Sequence, residues 1–171
     1  VNQILLYNNV INTLALLHNY LSLNMKEPVL FEKIYSQGIQ IIESFELTDI
    51  LTNDVFGIHS TAAQGYLIQQ ERQKAMDALD RYVNTICSIQ FPLSFKANEY
   101  FNQVAKWFED NNCIGTNVPV DEITLKKTFI CIVAENPAFT PLREDERYKL
   151  IVKKLKEKLG ETDECNEYRK S

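Results

Sequence analysis

The sequence predicts an all-α fold of about seven helices, arranged as stacked antiparallel hairpins. Three observations carry that expectation. Apolar side chains recur at three- and four-residue spacing through most of the chain, the period of a helix with one inward face. Only five glycines and five prolines occur in 171 residues, too few for a turn-rich β fold. Residues 55–88 also alternate small and large apolar side chains in the order that closes two short helices against each other. Ala63 and Tyr66 belong to the first helix and Ala75 and Leu79 to the second, with the polar turn Gln69–Gln73 between them. Small residues at 63 and 75 let the axes approach, and Tyr66 and Leu79 fill the space above and below.

The remaining elements follow in order. The first 25 residues contain no Asp, Glu, Lys or Arg, yet six Asn, one Gln and one His argue against a membrane span, because each amide would enter hydrocarbon unpaired. At about 100° per residue, Ile4, Tyr7, Val10, Ile11, Leu14, Leu17, His18 and Leu21 share one broad inward face. Asn8, Asn12 and Asn19 gather on a narrow stripe away from its centre. Pro28 opens a second helix with Val29, Ile34, Ile41, Ile42 and Phe45 as its periodic residues. Thr48–Asn53 connects it to the hairpin, and Pro92 closes the hairpin's second helix region.

Ser94–Asn112 reads as an aromatic-rich helix with Phe95, Tyr100, Phe101, Val104, Trp107 and Phe108 inward, stopped by Gly115. Asp121 and Glu122 mark the start of a helix over 122–135 that carries Ile123, Phe129, Ile130 and Val133. A loop over 137–142 leads to a last helix from about Glu144 to Leu159, with Leu142, Tyr148, Ile151, Val152 and Leu155 inward. Seven basic and four acidic residues between Arg143 and Lys158 fit a solvated capping helix of the kind that terminal units of arrays need. Residues 1–160 thus form one helical domain, and 161–171 a polar tail expected to be disordered.

Composition narrows the function classes. A net charge of −5 and a pI of about 5.1 give no support for phosphate neutralisation, so no direct nucleic-acid contact is expected from this chain. Cys87, Cys113, Cys131 and Cys165 lie 26, 18 and 34 positions apart, which forms no CxxC pair. They read as reduced thiols of a cytoplasmic protein, with Cys87 and Cys131 on apolar helix faces and Cys165 the most exposed. No secretory leader and no membrane anchor are expected.

The stretch 74–159 resembles the C-terminal, tetratricopeptide-like sensor half of Cro/repressor-like helix-turn-helix regulators. The residues that carry the resemblance are Lys74-Ala75 to Tyr82-Val83, Tyr100-Phe101 to Trp107-Phe108, Cys113-Ile114-Gly115-Thr116, and Glu135-Asn136-Pro137-Ala138-Phe139 followed by Asp145-Glu146-Arg147-Tyr148. It implies that residues 1–73 are earlier helices of the same array, and that a DNA-binding domain, absent from these 171 residues, would normally precede them.

Chemistry finds little foothold. His18 and His59 have no His or Cys partner at helical spacing, and each reads as a partly buried, hydrogen-bonded histidine. There is no GxSxG, and the isolated Gly38, Gly57 and Gly65 build no phosphate loop. Pairs such as Asp77 with Asp80 and Glu109 with Asp110 read as solvated faces. No catalytic residue, metal ligand or cofactor is expected.

The asparagine stripe supports a sharper expectation, since an amide row offers donors and acceptors to an extended peptide whatever its side chains. In a helical-hairpin array the first helices line the concave wall, which places Asn8, Asn12 and Asn19 beside Ser60 and Gln64 as ligand-binding residues. An uncharged solvent face or a dimer interface explains the same stripe. The expectation is a non-enzymatic ligand-sensing or dimerising domain of a transcription regulator, with a short peptide or protein segment as ligand and a homodimer as its form. The alternative is a tetratricopeptide-type interaction adaptor.

Overall fold

Helical periodicity is realised, among the described residues, as seven α-helices: α1 (Asn2–Leu23), α2 (Pro28–Ser44), α3 (Asn53–Ile68), α4 (Arg72–Ser88), α5 (Asn102–Asn111), α6 (Glu122–Ala134) and α7 (Glu146–Leu159). Short 3-10 turns cover Leu47–Asp49 and Pro137–Leu142, the second of which was expected to be a loop. The fold is all-α, and no β-strand is present among the described residues. The structure, a computed structural model, describes residues 2–50, 53–96, 98–111 and 120–160. Gly115, Cys113, Cys165 and the expected tail at 161–171 lie outside them.

Helix boundaries follow side-chain chemistry. Asp121 caps α6 by accepting from the Thr124 amide at 2.9 Å, and Asp145 caps α7 by accepting from the Arg147 amide at 2.9 Å. Gly160 ends α7 at φ +79, a conformation that costs glycine nothing.

The α3–α4 hairpin is the centre of the core. Ala63, Tyr66, Ala75 and Leu79 are all buried there, as their spacing predicted. Ala62 and Ala78 are buried with them, and Gly65 yields its space to Phe31 of α2. In front of this hairpin, α1 packs on both α2 and α3; behind it, α4 packs on α7, and α7 on α6. Two buried phenols tie the rear layer: Tyr82 donates to the Phe129 carbonyl at 3.0 Å, and Tyr148 donates to the Val133 carbonyl at 2.8 Å. Tyr82→Phe keeps the ring and removes one bond between α4 and α6. A loss of about 1 kcal/mol is expected, visible as a lower urea midpoint at unchanged slope.

The segment after α4 departs from the expected helix over 94–112, of which only 102–111 is helical. Asn98 is the reason. Its side-chain oxygen accepts from the Tyr100 and Phe101 amides, and its amide nitrogen donates to the Phe45 carbonyl at 2.9 Å. Such local bonds offer the backbone an alternative to the helix. The aromatics on either side fasten the segment to the first hairpin: Tyr7 meets Phe95, Phe101 and Phe108 edge-on at 5.7 to 6.3 Å, and Phe45 meets Tyr100 at 5.5 Å.

Several expected core positions face outward. Trp107 is exposed because it lies about 110° around α5 from the face shared by Phe101, Val104, Ala105 and Phe108. Val29, in the first turn of α2, points away from the side that buries Phe31, Ile34 and Ile42, and Ile123 is exposed in the first turn of α6. Cys131 is exposed rather than set in an apolar face, and Cys87 is half-buried.

Candidate functional site

A groove of about 470 Å³ runs between α2 and α4, within the range of small-ligand sites. It arises from one periodic face on each helix. On α2, Glu32, Tyr35, Ser36, Ile39, Gln40 and Glu43 follow helical spacing along one side. On α4, Lys74, Asp77, Ala78 and Arg81 do the same. Ser36 and Ala78 are small, which keeps the trough open, and Tyr66 of α3 closes its floor.

The floor is a connected set of polar side chains. The Tyr35 hydroxyl lies 2.9 Å from His59 Nδ1, and both residues are buried. Burial, and after it the Arg81 charge, lower the His59 pKa to about 4. Burial raises the Tyr35 pKa, with Arg81 opposing and Glu32 adding to the rise. The phenol therefore keeps its proton and donates to a neutral imidazole at pH 7. Glu32 accepts from the Tyr66 hydroxyl at 3.1 Å and from Lys74 Nζ at 2.9 Å. The Lys74 ammonium lies 5.5 Å from the centroid of the Tyr66 ring.

The groove's charges divide into spent and available groups. Lys74 is spent on Glu32, and Asp77 on Arg147 of α7 at 2.7 Å. Arg81 lines the groove, is exposed, and forms no ion pair among the described residues. A guanidinium of this kind is a planar donor for carboxylate, charged at every accessible pH. The His59 imidazole beneath the groove is buried and neutral, and its Tyr35 phenol partner keeps its proton.

A second polar cluster joins α1 to α3. His18 Nδ1 lies 2.8 Å from Asp54 Oδ1, and His18 Nε2 lies 2.8 Å from Thr61 Oγ1. The order carboxylate, imidazole, hydroxyl matches that of a nucleophilic triad. Thr61 is only 9% exposed, however, and sits inside α3 against α1, where no substrate carbonyl has an approach. Gly57 makes room for the imidazole; a Cβ there would meet His18 Cε1 at 2.6 Å. The cluster is an interhelical clamp. Both histidines are hydrogen-bonded, as expected of them. Among the described residues no group of three or more His, Cys, Asp or Glu is placed to hold a metal.

The five ligand-binding residues expected from the sequence are not brought together. Asn8, Asn12 and Asn19 form one exposed row on α1. Ser60 is 6% exposed, and its hydroxyl donates to the Gly57 carbonyl at 3.0 Å, so it offers nothing to a ligand. A short side chain bonded to its own helix backbone is buried without reaching any groove. Gln64 is half-buried on α3. Sequence reasoning missed the α2–α4 groove because its signal is two ordinary polar helix faces, each of which alone reads as solvated.

No helix among the described residues is long and apolar enough to cross a membrane. Comparison with protein-family models, with curated proteins and with solved structures finds no match for this chain.

Proposed function

We propose that this chain is a non-enzymatic recognition module that binds a short peptide in the α2–α4 groove, as the sensing part of a tetratricopeptide-like transcription regulator. One observation carries the reading: Arg81 lies without an ion pair in a groove whose other cation, Lys74, is held by Glu32 and whose Asp77 is held by Arg147. Capture of a chain carboxylate is a recurring mode of peptide recognition. Ser36 and Gln40 supply neutral hydrogen-bonding groups along the trough, suited to a peptide backbone.

The test is a library of tri- to hexapeptides presented with free or amidated C-termini and read by enrichment on the immobilised protein. Enrichment confined to free C-termini is expected, with Arg81→Ala lowering affinity at least tenfold and leaving the melting temperature within a degree or two. Equal enrichment of amidated peptides, or unchanged binding by Arg81→Ala, removes the reading. A partner that stays bound through extensive washing as a folded protein would favour the adaptor alternative.

A further inference from the structure

We propose that the outer face of α1 pairs antiparallel with the α1 of a second copy of this chain. The pairing stands on observations separate from the groove. Five of the eleven large apolar side chains exposed among the described residues lie on this one helix: Leu5 at 56%, Leu6 at 37%, Leu16 at 69%, Tyr20 at 49% and Leu23 at 81%. At about 100° per residue Leu5, Leu16 and Leu23 fall within about 20° of one another. They project opposite the buried Val10, Leu14 and Leu21, which hold the helix to its own domain.

Charge selects the occupant. The chain carries −5, yet the 22 residues of α1 include no charged side chain. Across a two-fold axis a surface meets itself, so any excess of one sign faces the same sign. A charge-free apolar strip on an acidic chain escapes that repulsion, and a second copy is the partner for which this matters most. A basic partner would gain nothing from a face without carboxylates.

The helix ends select the orientation, and the residue order supplies the seam. Asn2, Leu5, Asn9, Asn12, Leu16, Asn19 and Leu23 follow the alternating three and four spacing of a coiled-coil seam. Antiparallel pairing centred on residue 14 sets Leu5 against the second copy's position 23, Asn9 against 19, and Asn12 against 16. Apolar then meets apolar at both ends, Asn9 meets Asn19, and Asn12 faces Leu16 at the centre. The helix also has no acidic residue in its first turn and no basic residue in its last. Each uncompensated dipole end finds the opposite end of its partner only when the helices run antiparallel.

A helix of 22 residues is about 33 Å long and about 10 Å wide, so the strip covers roughly 350 Å² per copy, below the standard for a tight interface. Association is therefore weak and concentration-dependent. Sedimentation velocity on the full chain from about 10 µM to about 1 mM is expected to show a monomer passing to a dimer. Leu16→Glu should weaken that dimer at least tenfold without lowering the melting temperature, since Leu16 makes little contact with its own domain. Leu150→Glu, which alters an exposed leucine on α7, should leave it intact.

Mixing Leu5→Cys protein with Leu23→Cys protein under mild oxidation should give a peptide linking positions 5 and 23 by mass spectrometry. A strict monomer at 1 mM, a dimer insensitive to Leu16→Glu, or a dominant link between two copies of position 23 each overturns the proposal. None of these outcomes touches peptide binding at Arg81, so the two readings fail separately.

Discussion

Phe31→Ala is expected to destabilise the fold by about 3–5 kcal/mol, the range for truncating a fully buried aromatic ring. Phe31 is 0% exposed and meets Tyr66 edge-on at 5.3 Å, at the junction of α2 with α3. The ring occupies space that only glycine leaves free. A Cβ on Gly65 would lie 2.2 Å from Phe31 Cζ and 2.4 Å from Cε2, and a ring enclosed on all sides has nowhere to retreat. Gly65→Ala by itself should therefore cost about 1–3 kcal/mol, although alanine is the better helix former. The two losses share one contact, so the double variant should be clearly more stable than their sum. Urea midpoints of the four proteins check this. Additive losses would mean that Phe31 and Gly65 do not oppose each other across the α2–α3 junction.

Acidification through the window between pH 6.5 and pH 4 is expected to remove about 3 kcal/mol of stability through His59 alone. The imidazole's pKa lies at about 4 in the folded chain, against an ordinary 6.5, because burial and then the Arg81 charge disfavour its cation. The unfolded chain therefore binds the proton more readily than the folded one. Stability from this group is complete above pH 6.5 and is lost as pH falls toward 4. Denaturation of wild type and His59→Gln at pH 7, 6, 5 and 4.5 isolates the effect. Other titrating groups are common to both proteins and cancel in the difference. The gap between the two should close as pH falls; a constant gap would show that His59 is not held neutral by its surroundings.

The helical content was legible because α-helices are written in local spacing. Ala63, Tyr66, Ala75 and Leu79 announced the α3–α4 hairpin, and their complete burial agrees with it. Asp121 and Glu122 announced the start of α6, where Asp121 caps the helix. Legibility failed where a side chain's partner lies far along the chain. Asn98 reads as an unremarkable helix residue until the Phe45 carbonyl, 53 positions away, is seen to accept its amide. Trp107 reads as core until Tyr7 takes Phe108 instead. Asn8, Asn12 and Asn19 read as a peptide wall, and their row is real, but Ser60 was placed beside it on an idealised array.

Local order by itself determined that this chain is helical, acidic and led by a helix without charge, because propensity, periodicity and composition act over one or two turns. Which faces meet was decided only in three dimensions. The α2–α4 groove exists because α2 and α4 flank α3, whose Tyr66 and His59 reach the gap between them. The same packing spends Lys74 and Asp77 and leaves Arg81 open. No property of Arg81 or its neighbours in sequence distinguishes it from the other cations; its availability is set by side chains dozens of residues away that pair with the others first.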